Sequence, residues 1–255
     1  MNKYHIYIPS KGRASHCLTA KLLEEAGLDF TIVVEPQDYK EYCKFFYTSN
    51  LHKLDKNSRG LPFSRNSILQ LSREKGEKCH WQMDDDIKKF MIRQEDKNLK
   101  VSPVESVTSL ERIFDSYKNL GMIAHRYCSF AFSQKDELSF NQNPCSSILV
   151  HNKVDAQWNF GTVDDADFAL QVLTSGLSTV IANRHLIDTV PHNKQAGGLT
   201  DKPNHHGRHA RFLQLVKDWP GGFSVKVDDS GKPKLVHHRI WSKFEQRPVP
   251  RKSKR

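Results

Sequence analysis

The sequence has no apolar run near the roughly 18 to 20 residues that a membrane-spanning helix needs, which argues against a helical membrane span. Its opening residues, MNKYHIYIPSKGR, lack the apolar stretch and small-residue cleavage site of a secretory leader, so a cytoplasmic protein is expected. Cysteine is scarce: Cys17, Cys43, Cys79, Cys128 and Cys145 are odd in number and widely spaced, with no CxxC. That pattern speaks against a disulfide framework or a zinc module, and for buried thiols in a reducing compartment. Neither an internal repeat nor a clear linker is present, so residues 1–242 are expected to form one domain.

What is present supports a folded body. The chain has 255 residues, 37% hydrophobic and 10% aromatic, enough for a core and too aromatic for a disordered protein. The net charge is +10, and it is unevenly placed. Residues 1–200 are nearly balanced, with 25 basic and 24 acidic side chains, whereas residues 201–255 hold 14 basic and 5 acidic ones. A balanced body with a basic end suggests a polyanionic partner; a solvated, disordered tail over 243–255 is the plainer reading.

The first hundred residues alternate strand and helix signals. Tyr4 to Ile8 reads as a strand closed by Pro9-Ser10-Lys11-Gly12, and Asp29 to Glu35 (DFTIVVE) as a buried parallel strand. Helices are expected from Ser15 to Glu25, Tyr39 to Tyr47 and Phe63 to Lys75. Lys78 to Met83 is a strand leading into Asp84-Asp85-Asp86. Such a series implies an α/β sheet with helices on its faces. Beyond it, Val104 to Leu120 has helical spacing with Gly121 as its stop. Met122 to Phe132, Ser146 to His151 and Ser178 to Ala182 read as strands, and Asp164 to Thr174 as a helix with an acidic start. Residues 191–209 read as a loop, and Arg211 to Lys217 as a short helix.

Three consecutive carboxylates after a buried strand repel one another, and burial raises the cost. On an extended segment Asp84 and Asp86 would share one face. Such a pair suits a hard divalent cation that also takes phosphate oxygens, at the strand ends where open α/β sheets bind ligands. An exposed acidic turn is the alternative.

The stretch GLPFSRNSILQLSREKGEKCHWQMDDD, from Gly60 to Asp86, resembles the core of GT-A glycosyltransferases: a Gly, an Arg-Asn pair opening a helix, a Gly after it, a strand, then Asp-x-Asp. IPSKGR resembles that group's first nucleotide-binding loop, and Glu35 stands where an acid often faces uracil. Residues 161–176, GTVDDADFALQVLTSG, resemble its acidic pair beside the acceptor. YIPSKGR, WQMDDDI and that acidic pair are most similar to the TET/JBP-associated glycosyltransferases of phages and kinetoplastids, over residues 4 to about 245.

This resemblance implies a GT-A fold: a mixed sheet flanked by helices, with a nucleotide-sugar-binding half over 1–100 and an acceptor half over 101–242. It implies a UDP-sugar donor, and Mn²⁺ or Mg²⁺ held by Asp86 and Asp84 with His192 completing the site (His185 second). Pro9, Lys11, Arg13, Glu35, Arg65, Asn66, Asp84 and Asp85 would line the donor. Asp165, with Asp164 beside it, would be the general base for a hydroxylated or hydroxymethylated pyrimidine such as hydroxymethylcytosine in DNA. One base with no covalent nucleophile predicts inversion. For a DNA acceptor, His206, Arg208, Arg211, Lys243 and Arg247 would follow phosphates, and Trp158, Phe160 or Trp241 would either stack on a displaced base or belong to the core. A protein, lipid or small-sugar acceptor, a nucleotidyltransferase and a non-catalytic nucleic-acid binder remain alternatives.

Overall fold

The computed structural model describes residues 2–191 and 205–251, with only the backbone at 205 and 206. One sheet runs through it. Strands β1 (Ile6–Ser10), β2 (Phe30–Val34), β3 (Leu51–Lys53) and β4 (Cys79–Met83) are mutually parallel, in the order β3-β2-β1-β4. Helices α1 (Leu18–Glu25), α2 (Pro36–Tyr42) and α3 (Leu61–Glu74) fall between them in sequence. Next to β4 lies β9 (Ser147–His151), antiparallel both to β4 and to its other neighbour β7 (Leu120–Tyr127). β10 (Ser178–Thr189) is parallel to β7, and the hairpin of β5 (Ile87–Gln94) and β6 (Lys97–Val101) closes that edge. Short β8 (Leu138–Phe140) pairs with β10 off the main path. β5 and β6 thus lie beyond β10, so the two expected halves interleave in one sheet.

This mixed sheet, covered by helices on both faces, is the architecture that the GT-A resemblance implies. Ile6, Ile8 and Trp81 pack on one face with Leu110 and Phe114 of α4 (Pro103–Asp115). On the other, Met122, Ala124, Ile148 and Val150 meet Phe168 and Val172 of α5 (Asp164–Thr174). Glu111 of α4 is buried and accepts from the backbone N–H of Lys3 and Tyr4 and from the Trp81 indole, fixing the start of β1. A C-terminal unit of α6 (His205–Asp218) and the hairpin β11 (Phe223–Val227)–β12 (Pro233–His237) packs Leu215, Phe223 and Ile240 on Ala166, Leu170 and Leu173 of α5.

Several boundaries differ from expectation for visible reasons. Pro9 lies inside β1 and does not end it: β4 pairs with β1 only at Ile6 and Tyr7, so Pro9 has no donor to supply on that side. Helix α2 starts at Pro36, suited to a first helical turn. Helix α4 ends at Asp115, and Gly121 belongs to β7, where a Cβ would come within 2.4 Å of Val172 on α5. Helix α6 starts at His205, six residues before the expected start.

The expectation of disorder from residue 243 fails through Arg251. Residues 244–251 form a strap across the starts of β7 and β10. Asn119 takes the Arg247 carbonyl and the Val249 N–H, Asn141 donates to the Phe244 and Gln246 carbonyls, and Gln246 reaches the Leu173 and Leu177 carbonyls. Lys118 N–H donates to Val249, and Arg251 N–H to Ser116. Lys252 to Arg255 lie outside the described residues.

Candidate active site

The C-terminal ends of β1, β2, β4, β7 and β10 share one edge with the start of β9, and the polar groups gather there. β4 ends at Met83, and Asp84 to Asp86 form a tight turn into β5. Burial divides them: Asp85 is buried, and Asp84 and Asp86 are half-buried. Asp85 faces the end of β1, accepting from Arg13 at 2.7 Å and from the Ser10 hydroxyl, which also pairs with Tyr42. Burial raises its pKa against the pull of Arg13 and Ser10. The turn is also tied to α1, since the Thr19 hydroxyl donates to the Asp84 carbonyl and Thr19 N–H to that of Asp85.

Asp84 faces the opposite way, and its partner is Arg65 of α3. The Arg65 side chain is 3% exposed; Nη2 donates to Asp84 Oδ1 at 2.9 Å and Nη1 to Asp165 Oδ1 at 2.6 Å. One guanidinium thus joins the turn after β4 to the first residues of α5, and Asp165 stands 100 positions from Arg65 in sequence. Its plane lies over Trp158, 4.4 Å from the ring centroid, and Trp158 stacks on Phe168 at 4.1 Å. Asn66 holds Trp158 through two reciprocal 2.9 Å bonds to its backbone. Trp158 is therefore core, the plainer of its two expected roles, and Asn66 is used in placing it. Arg65 was expected to face donor oxygens; the structure shows it between two carboxylates.

The electrostatics leave a deficit of positive charge. Asp86 is pushed up to about 7, first by burial and then by Asp84 and Asp85. Asp165 is also raised, by burial and then by Asp164 and Asp84, which outweigh its contact with Arg65. Cys145, near Asp165 and Asp84, is pushed up to about 12, mainly by burial. No group of three or more His, Cys, Asp or Glu is placed to hold a metal among the described residues. The two half-buried acids nevertheless fit a divalent cation: such ions are often held by one or two carboxylates, with substrate phosphates and waters completing the shell. His192 lies outside the described residues; shortly before it, Val190 N–H donates to the Asp86 carbonyl at 3.1 Å. His185 sits within β10, paired opposite Ile92 of β5.

The donor-side residues share this edge. Pro9 is buried in β1. Lys11 Nζ binds buried Glu35 at 2.8 Å, and Glu35 also accepts from Gln37 and from Arg59 N–H. Against burial, Lys11 and the backbone groups of Ser58 and Arg59 draw the Glu35 carboxyl below its ordinary pKa. Tyr127 and Ser146 carry no sequence signal of a role at this edge: their hydroxyls pair, Ser146 adopts φ +60°, and its carbonyl receives Asp84 N–H at 2.7 Å.

The basic residues expected to follow phosphates are spread over the strap and the C-terminal unit. Arg247 is exposed on the strap at the start of β7, and β7 rises about 25 Å over its eight residues before reaching the carboxylates. Lys243 is exposed after Trp241, and Arg208 is exposed and Arg211 half-buried on α6. The side chain of His206 lies outside the described residues.

A glycosyltransferase is the class to which this sheet and sequence are assigned. The family model described as TET-Associated Glycosyltransferase matches residues 4–198, a span holding the whole sheet, Arg65, Asp84, Asp86 and Asp165, and the chain belongs to that family. No curated relative matches the sequence. Among solved structures, A197 from STIV is similar at 11% identity, over 72% of this chain and 83% of that one, with a TM-score of 0.40. GalNAc-T7, solved with UDP, GalNAc and Mn²⁺, is similar at 8% identity over 86% of this chain, with a TM-score of 0.48. The match spans about half of the GalNAc-T7 chain, 48%.

Proposed function

We propose that the protein moves a sugar from a UDP-sugar to a hydroxylated or hydroxymethylated pyrimidine base in DNA. The observation that carries this reading is the Arg65 bridge, which sets Asp84 beside Asp165 where β4 and α5 meet. Family membership supplies the reaction class. The net charge of +9 in residues 201–255 favours a polyanionic acceptor.

Asp84 Oδ1 is taken by Arg65, while its Oδ2 has no hydrogen-bond partner among the described residues. That oxygen and the Asp86 carboxylate would hold Mn²⁺ or Mg²⁺. When bound, the ion neutralises the departing diphosphate as a Lewis acid. Lys11 and Glu35 stand ready to exchange their mutual contact for the uridine. Asp165 is likewise held through Oδ1, which leaves Oδ2 to accept the proton of the attacking hydroxyl. Burial and two neighbouring acids make it more basic than an ordinary carboxylate. Direct attack at the anomeric carbon gives inversion.

A pH dependence follows on the donor side. The folded Asp86 pKa, about 7, lies above its ordinary value of 3.8, so between those values the folded state binds the extra proton. Metal-free protein therefore loses this group's contribution as pH rises through that window, and a cation restores it. The thermal shift given by Mn²⁺ is expected to be larger at about pH 8 than at about pH 6, and the difference to vanish in Asp86→Asn. An unchanged difference in that variant removes Asp86 from the metal site. The acceptor assignment is tested by mass analysis of nucleosides from DNA incubated with a panel of UDP-sugars.

A further inference from the structure

A second polar cavity, of about 410 Å³, opens between β7, the segment around β8 and the C-terminal unit. Its walls include Arg126, Gln134, Asn143, His237 and Trp241. Arg126 is a built element: Nε donates to Asn183 Oδ1 at 2.6 Å, and fully buried Asn183 is itself fixed by a 2.9 Å bond to the Asp136 carbonyl. Among the described residues Arg126 has no acidic partner, and its Nη1 has no acceptor. Burial lowers its pKa, the direction expected of a cation without a counter-charge. Asn143 Oδ1 is buried and likewise has no hydrogen-bond partner. The Trp241 indole donates to His237 Nδ1 at 3.1 Å, so the neutral imidazole carries its proton on Nε2, and the two rings form an aromatic wall.

An unneutralised guanidinium, an orphaned amide oxygen and an indole face together match the parts of a nucleotide: an oxyanion, a base N–H and a π surface. The cavity is close to the carboxylates but distinct from them. Arg126 precedes Tyr127, whose hydroxyl pairs with Ser146, and Asn143 lies three residues before Ser146, whose carbonyl holds Asp84.

We propose that this cavity seats a nucleotide of the acceptor strand that flanks the reacting base, with its phosphate on Arg126, a base N–H on Asn143 Oδ1 and its ring against Trp241. The assignment rests on the DNA reading above. It is tested with Arg126→Gln and Trp241→Leu, which lie on separate elements, using hydroxymethylcytidine as free nucleoside and the same base within a short oligonucleotide. Each variant is expected to raise KM for the oligonucleotide roughly 5- to 100-fold, with transfer to the free nucleoside and UDP binding unchanged. Unchanged oligonucleotide KM overturns the site and leaves the DNA reading standing. A parallel loss with nucleoside and oligonucleotide also overturns it, since the cavity would then serve only the fold. A wild-type protein that modifies neither substrate overturns the DNA reading, and the site with it.

Discussion

Asp165→Asn is expected to lower sugar transfer by about 10²- to 10⁴-fold while leaving the affinity for UDP nearly unchanged. The substitution preserves the shape of the side chain and an oxygen for Arg65, so the bridge to Asp84 can persist. What it removes is the capacity to take a proton. The folded-state pKa of Asp165 is raised by burial and by Asp164 and Asp84, so the acidic limb of the turnover profile should lie above the ordinary carboxylate range. Activity is lost as pH falls through that pKa, because the base must be ionised to act. The limb should be absent from the residual activity of the variant. Turnover within a few-fold of wild type, with the limb intact, assigns the base elsewhere.

Arg65→Met carries the second large effect, and it falls on both fold and chemistry. The guanidinium is almost fully buried between two carboxylates and over an indole. Its removal leaves those acids facing each other without a cation, a loss of about 3–5 kcal/mol when one partner of a buried pair is deleted. Arg65→Lys separates the two contributions. An ammonium keeps the charge but lacks the planar fork that reaches Asp84 and Asp165 at once. It is expected to stay folded near wild-type stability while turnover falls about 10- to 100-fold, the usual cost of losing a group that orients a functional side chain. Full activity in Arg65→Lys, measured beside an unchanged melting curve, contradicts the positioning role.

Much of the donor side is legible in the sequence because strand, turn and helix follow one another locally there. DFTIVVE, the helix after Gly60 and the strand before Asp84 each carry their own signal, and the ends of β1, β2 and β4 collect Lys11, Arg13, Glu35 and the acidic turn. The role of Arg65 is not legible. Its Asp84 partner is 19 residues away and its Asp165 partner 100, and no periodicity encodes that meeting. The hairpin of β5 and β6 escapes for another reason. A register shift opposite Asp188 and Thr189 lets both Lys88 and Lys89 face solvent, so Ile87, Phe90 and Met91 fall at helix-like spacing. The strap over 244–251 is held by amide side chains of Asn119, Asn141 and Gln246 on backbone groups, and Pro, Arg and Gln in that segment give no apolar pattern. Composition alone therefore read it as tail.

The strap also changes the meaning of the charge imbalance. Arg247 is anchored at the edge opposite the carboxylates, so this part of the basic end does not hang beside the chemistry. An acceptor polyanion that meets both must extend along the molecule or use the cation in the cavity beside Tyr127.

The most direct test of the central claim is the mass of nucleosides recovered from hydroxymethylcytosine-containing DNA after incubation with Mn²⁺ and a panel of UDP-sugars. A glycosylated nucleoside formed by the wild-type protein, absent with Asp86→Ala and scarce with Asp165→Asn, is the predicted result. DNA left unmodified by every donor, under conditions where the same preparation transfers sugar to another acceptor, contradicts it.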